Sequence, residues 1–87
     1  MRSDQDPALL RAFAAELKAR RSALGLSQDR FALEADIHRT FVAKLERALA
    51  MPSLSSLYRI AEGLGIDPAE LVSAVSKRYR KELRNVA

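Results

Sequence analysis

Arg39, Thr40, Ala43 and Lys44 are the residues of this chain whose types and spacing best suit a chemical task. On one short helix they occupy its start and the side opposite Val42 and Leu45. An arginine so placed can pair bidentately with guanine O6 and N7, a lysine can reach the same acceptors, and a threonine or alanine methyl can meet a thymine methyl. The same residues also suit an ordinary solvated helix face, the commoner occurrence for charges on an arbitrary helix. Other chemistries find less support. His38 is the one histidine, and Glu34, Asp36 and His38 stand at every second position with no cysteine or second histidine to complete a metal shell. Gly63-Leu64-Gly65 is a glycine pair following a helical pattern, whereas a phosphate loop follows a strand. No enzyme activity, metal site or cofactor is expected.

The elements that must position these residues are legible in the apolar spacing between Gln28 and Arg47. Phe31 and Ala35 lie four apart, as one helix face requires, and Val42 and Leu45 lie three apart on a second helix. If one helix ran unbroken, Ile37 would fall about 140° from the stripe through Phe31, Ala35 and Val42, since each residue advances about 100°. The helix therefore breaks near Asp36. Ala32 carries only a methyl where the two helices must approach. The pattern predicts a helix-turn-helix, a device whose second helix lies in the major groove of DNA while the first crosses the backbone.

Eighty-seven residues suffice for one small core and leave little for a separate catalytic or ligand-binding domain. There is no cysteine, which excludes a disulfide framework and a thiolate metal site and fits a reducing compartment. The first twenty residues lack the continuous apolar stretch of a signal peptide, and no run approaches the ~20 residues of a membrane span. A cytoplasmic, soluble protein is expected. The net charge of +4 is carried by the tail alone, where Lys77, Arg78, Arg80, Lys81 and Arg84 face only Glu82. Residues 1–76 are neutral overall, so nucleic-acid binding has to be argued from where charges sit.

Five helices are predicted, with no strand pattern, internal repeat or low-complexity tract. Asp6-Pro7 reads as an N-cap and first-turn proline, opening a helix through Leu10, Phe13, Ala14, Leu17 and Leu24 that stops at Gly25. Ser27 caps the second helix, and the third runs from about His38 to Arg47. Ser53 caps a fourth that carries Leu54, Leu57, Ile60, Ala61 and Leu64 and ends at Gly65, with Ile66 placed to contact it. Asp67-Pro68-Ala69-Glu70 has the form of a capping box and opens a fifth helix with no later Gly or Pro. The expected organisation is a loose arm at 1–5, a DNA-binding domain at 6–72 with its helix-turn-helix at 28–47, and a basic amphipathic helical extension at 73–87.

The run LGLSQ at 24–28, the small Ala32, FVAKLER at 41–47 and the later PSLSSL, IAEGLGI and ELV segments resemble the phage-repressor and Cro, or XRE, type of helix-turn-helix domain. The resemblance covers roughly residues 11–72, with its motifs in the family's order. Asp36 stands where the family usually has the turn glycine, and Ala48 where a glycine commonly ends the recognition helix. The resemblance implies an all-α, five-helix, lambda-repressor-like fold and turns Arg39, Thr40, Ala43 and Lys44 toward the bases. It implies that Gln28 clamps the DNA backbone at the second helix's N-terminus, beside Ser27, where free N–H groups and the helix dipole favour a phosphate. Arg47 and Ser53 are further backbone candidates, and Phe41 either packs on sugar and thymine methyl or edges into the core. It also implies a structural pair between Arg21 and Glu46, and makes His38 the cap of the third helix. The Arg39-Thr40-Phe41 run followed by Glu46-Arg47 looks most like the restriction-modification controller proteins among short members.

The expected function is that of a sequence-specific transcriptional regulator acting as a homodimer on a two-fold-related operator, with RNA polymerase or another protein as a conceivable partner and no membrane. On the fifth helix Leu71, Val72, Val75, Tyr79, Leu83 and Val86 keep one apolar stripe for some four turns. Because the resemblance stops near Val72, the dimer interface is expected at Val72, Val75, Tyr79 and Leu83. The alternative arrangement has the tail folded back on its own domain and the dimer formed through the fourth helix. A rival function is an antitoxin-like module that masks a partner protein with its C-terminal helix, and a third takes the basic tail as a membrane-surface helix.

Overall fold

The computed structural model describes residues 6–86, the last without its side chain. The arm at 1–5 and the contribution of Val86 to the stripe lie outside the described residues. Five helices, α1 (Pro7–Ala23), α2 (Gln28–Ala35), α3 (Arg39–Glu46), α4 (Leu54–Leu64) and α5 (Pro68–Val86), make up an all-α domain. The boundary expected at 72–73 falls inside α5, which runs unbroken across it.

Short polar side chains start four of the helices. Asp6 Oδ1 accepts from the Ala8 and Leu9 N–H at 2.9 and 3.3 Å, Ser27 Oγ from Arg30 at 3.0 Å, Ser53 Oγ from Ser56 at 3.1 Å and Asp67 Oδ1 from Ala69 at 2.7 Å. α3 is the exception. His38 occupies its N-cap position but makes no side-chain cap bond; only its carbonyl opens the helix, accepting from Phe41 and Val42 at 3.0 and 3.1 Å. Glu70 does not complete a capping box either, because its carboxylate turns to Arg20, 3.2 Å away on α1.

The first four helices stop in the same way. Gly25, Asp36, Ala48 and Gly65 adopt left-handed backbone, with φ of 71°, 55°, 60° and 73°. The N–H of each following residue, Leu26, Ile37, Leu49 and Ile66, reaches back five positions to a carbonyl of the last turn, at 3.2, 3.0, 2.9 and 3.0 Å. This is the Schellman closure, which satisfies carbonyls the helix end would leave bare. Leu26, Ile37 and Ile66 then pack against the core, while Leu49 stays exposed.

Leu17, Phe31, Val42, Leu45, Ile60 and Leu71 are fully buried, so every helix sends at least one side chain into a single core. α2 and α4 meet most closely at Gly63, where an added Cβ would stand 2.9 Å from the Ala35 Cβ. α5 departs from the expected course and runs back along α1. Leu71 and Val75 enter the core, and Tyr79 packs against it with its hydroxyl donating to Asp6 Oδ2 at 2.6 Å. Of the residues placed by the sequence at a dimer interface, Val75 therefore lies in the protein's own core and Tyr79 is half-buried against it. The physical reason is α1's wide apolar face: Ala8, Leu10, Ala12, Phe13 and Leu17 are all buried, and the helices packed along α1 are α5 and, less extensively, α3. Leu71 and Val75 gain about 1.5–3 kcal/mol each by burial, against under about 1 kcal/mol for an exposed ion pair. Three ion pairs line the seam: Arg11–Glu82 at 2.6 Å and Arg20–Glu70 at 3.2 Å toward the surface, and Arg78–Glu16 at 2.7 Å, whose carboxylate is buried. Apolar burial holds α5 down, and the ion pairs fix its register. No helix among the described residues is long and apolar enough to cross a membrane.

Candidate nucleic-acid interface

α3 is eight residues long and buries only Val42 and Leu45. Its outward face stands clear of the domain because the turn at Asp36 and Ile37 swings it across α2, as the apolar spacing requires. Arg39, Thr40 and Lys44 are exposed on that surface and Ala43 half-exposed between them. Phe41 is partly buried and packs against the core, the second of the two places open to it. Arg47 follows the helix, exposed, and Ser53 stands exposed at the start of α4 with its hydroxyl on Ser56 and Ser55.

At the start of α2, Ser27 caps the Arg30 N–H, and the N–H groups of Gln28 and Asp29 have no intrahelical partner. Gln28 is less free than its position suggests, since its Nε2 donates to Glu46 Oε1 at 3.1 Å. One Nε2–H remains to donate to a phosphate. Asp29, the next residue, lies beside the reading helix: its Oδ1 is 2.7 Å from Arg39 Nε.

The orientation of α3 is set by one carboxylate. Glu46 Oε2 accepts from Arg21 Nε at 2.6 Å and Oε1 from Arg21 Nη2 at 2.9 Å, a bidentate pair, while Gln28 holds Oε1 from the other side. Arg21 Nη1 donates to the Leu26 carbonyl at 2.6 Å. Arg21 and Glu46 are 13% and 4% exposed, so removing either partner would strand a buried charge, which costs far more than losing one side of a surface bridge. Burial pushes the Glu46 carboxyl up, but the hydrogen bonds from Arg21 and Gln28 outweigh it and hold the group below its ordinary value. α1, α2 and α3 are thus tied at a single point behind the exposed face.

Two members of this arrangement are hidden from sequence reasoning. Asp29 reads as an ordinary first-turn acid favouring the helix dipole, and its proximity to Arg39 depends on the angle of the turn. Gln28's bond to Glu46 likewise depends on the crossing of α2 and α3. Among the described residues no group of three His, Asp or Glu could hold a metal ion.

Comparison with known proteins places this geometry. The helix-turn-helix family model HTH_3 matches residues 17–71. The control protein C.MunI of Mycoplasma sp is 38% identical over 60 residues, covering 69% of this chain and 81% of that protein. The control protein C.BamHI of Bacillus amyloliquefaciens is 36% identical over 53 residues, or 61% of this chain, which spans 65% of the length of that relative. Among solved structures, the restriction-modification controller protein C.AhdI from Aeromonas hydrophila superimposes with a TM-score of 0.68 at 35% identity, covering 71% of this chain and 94% of its own.

Proposed function

This chain belongs to the HTH_3 helix-turn-helix family, and from that premise we propose that it is a sequence-specific, double-stranded-DNA-binding transcriptional regulator of the restriction-modification controller kind. The observation that carries the proposal is the exposed face of α3 braced from behind by the Arg21–Glu46–Gln28 node. In this reading α3 enters the major groove, where Arg39 and Lys44 reach guanine acceptors and Thr40 and Ala43 meet thymine methyls. The first turn of α2, with Ser27 and Gln28, and Arg47 and Ser53 beyond α3 hold flanking phosphates and so fix register.

A two-fold operator calls for two reading helices ~34–36 Å apart, and therefore for a dimer. With Val75 in the core and Tyr79 packed against it, the surface favoured for dimerisation is the α4–α5 edge. Leu54 and Tyr58 of α4 and Val72 and Leu83 of α5 are large apolar groups exposed to solvent. Leu57, Val72, Leu9 of α1 and Met51 of the connection before α4 line an apolar hollow of about 300 Å³, an indentation another copy could fill.

Selection from a random duplex library tests the proposal as a whole. An enriched sequence with two-fold symmetry is the expected result. Recovery of sequences no tighter than the starting pool would refute it.

A further inference from the structure

Asp29 is an anomaly on a surface that faces phosphates. It is a carboxylate in the first turn of α2, 74% exposed, and it caps nothing, because Ser27 already serves the helix N-terminus. Left unpaired, its charge would repel the DNA backbone that the same turn is suited to hold. Its neighbour across the turn is Arg39, 63% exposed and contacted at Nε, 2.7 Å away. That choice of atom matters. A guanidinium offers five N–H donors, and engagement on the Nε side leaves the outer edge, with its two Nη groups, without a partner among the described residues. That outer edge is the one able to meet guanine O6 and N7 together.

We propose that Asp29 is the specificity-determining partner of Arg39: it holds the guanidinium from the Nε side, aims the outer edge into the groove, and opposes its turning aside to a phosphate. The inference rests on the reading of Arg39 as a base contact. An exposed pair of this kind adds little to stability, so its effect belongs to recognition. Without the carboxylate the arginine rotates among its rotamers, and any phosphate within reach competes with the guanine. With it, the swing to phosphate costs the ion pair, whereas the guanine contact keeps it. The net charge that Arg39 brings to the surface is cancelled at the same time, which lowers affinity for DNA of arbitrary sequence.

The test uses the whole chain and its selected operator. Binding of the wild type, Asp29→Ala, Arg39→Ala and the double variant is measured by fluorescence anisotropy on the operator, on every single-base variant of one half-site, and on a scrambled duplex. Arg39→Ala should lose about 5- to 150-fold of preference at one base position, the worth of a bidentate contact. Asp29→Ala should lose about 2- to 5-fold of preference at that same position, the worth of an exposed ion pair, while binding the scrambled duplex more tightly. In the double variant the preference should equal that of Arg39→Ala alone. If Asp29→Ala tightens all duplexes equally and keeps the preference, or if the two losses add, the inference is overturned and the base-reading role of Arg39 stands. Uniform weakening by Arg39→Ala would remove that role and this inference together. Asp29→Asn replaces the alanine variant should the latter shift the urea midpoint.

Discussion

Glu46 is the residue on which the exposed face most depends. Its carboxylate is buried, bidentate with Arg21 and bonded to Gln28. Glu46→Ala strands a buried guanidinium and should destabilise the domain by about 3–5 kcal/mol, read by urea unfolding. The pH dependence has a definite sign. Glu46 and Glu16 both have folded values below their ordinary 4.5, Glu16 because hydrogen bonds from Arg78 and Arg20 overcome its burial. Each therefore contributes stability that is complete above about 4.5 and is lost as the pH falls through the lower folded value. Urea midpoints measured downward from pH 5 should fall for the wild type and fall less steeply for Glu46→Gln. Ala48 carries the opposite lesson, a residue in a conformation it disfavours. At φ 60° it bears a left-handed cost of about 1–2 kcal/mol that glycine escapes, less the greater entropy of glycine in the unfolded chain. Ala48→Gly should raise stability by about 0.5–1 kcal/mol; an unchanged or lower midpoint would show that the cost is already relieved locally.

At the scale of elements, the contact between α2 and α4 is set by a missing side chain. Gly63→Val would drive three extra carbons against Ala35, and overpacking of a tight core contact typically costs about 1–3 kcal/mol. Because α2 positions the turn, loss of specific DNA binding should accompany the loss of stability, which anisotropy on the selected operator checks. The starts and stops of the helices were largely legible in the chain: Asp6-Pro7, Ser27, Ser53 and Asp67-Pro68 mark the beginnings, Gly25 and Gly65 two of the ends. The stop at Ala48 was visible only through the family pattern, since alanine by itself signals helix. The course of α5 was not legible. An apolar stripe states that a helix must be covered but not by what, and the spacing of Val75 and Tyr79 is the same whether α1 or a second copy lies opposite. The breadth of α1's own apolar face, which decides the matter, emerges only when all its neighbours are in place. The Asp29–Arg39 pair escaped for a related reason: residues ten apart meet only at one angle of the turn.

For the whole molecule, the distribution of charge and apolar surface separates two tasks. The α3 side presents cations beside neutral or acidic groups, while Leu54, Tyr58 and Val72 lie on α4 and α5. Leu54→Asp, a change at a position 70% exposed in the single chain, should leave the monomer folded. If the α4–α5 edge joins two copies, it should shift sedimentation from dimer to monomer at micromolar concentration and weaken operator binding by at least tenfold, because each monomer then holds only half a site. A variant that remains dimeric would move the interface elsewhere. The four Schellman closures bear on a different property. Each of the first four helices is ended by bonds reaching back no more than five residues, and four of the five are begun by a cap two or three residues away, so these limits of the secondary structure are written locally. Helical chains of this kind fold in microseconds to milliseconds. If two copies share an operator, as proposed, each would be folded long before it met the other, and the lag before a two-site complex forms would be governed by how fast copies accumulate, not by how fast each one folds.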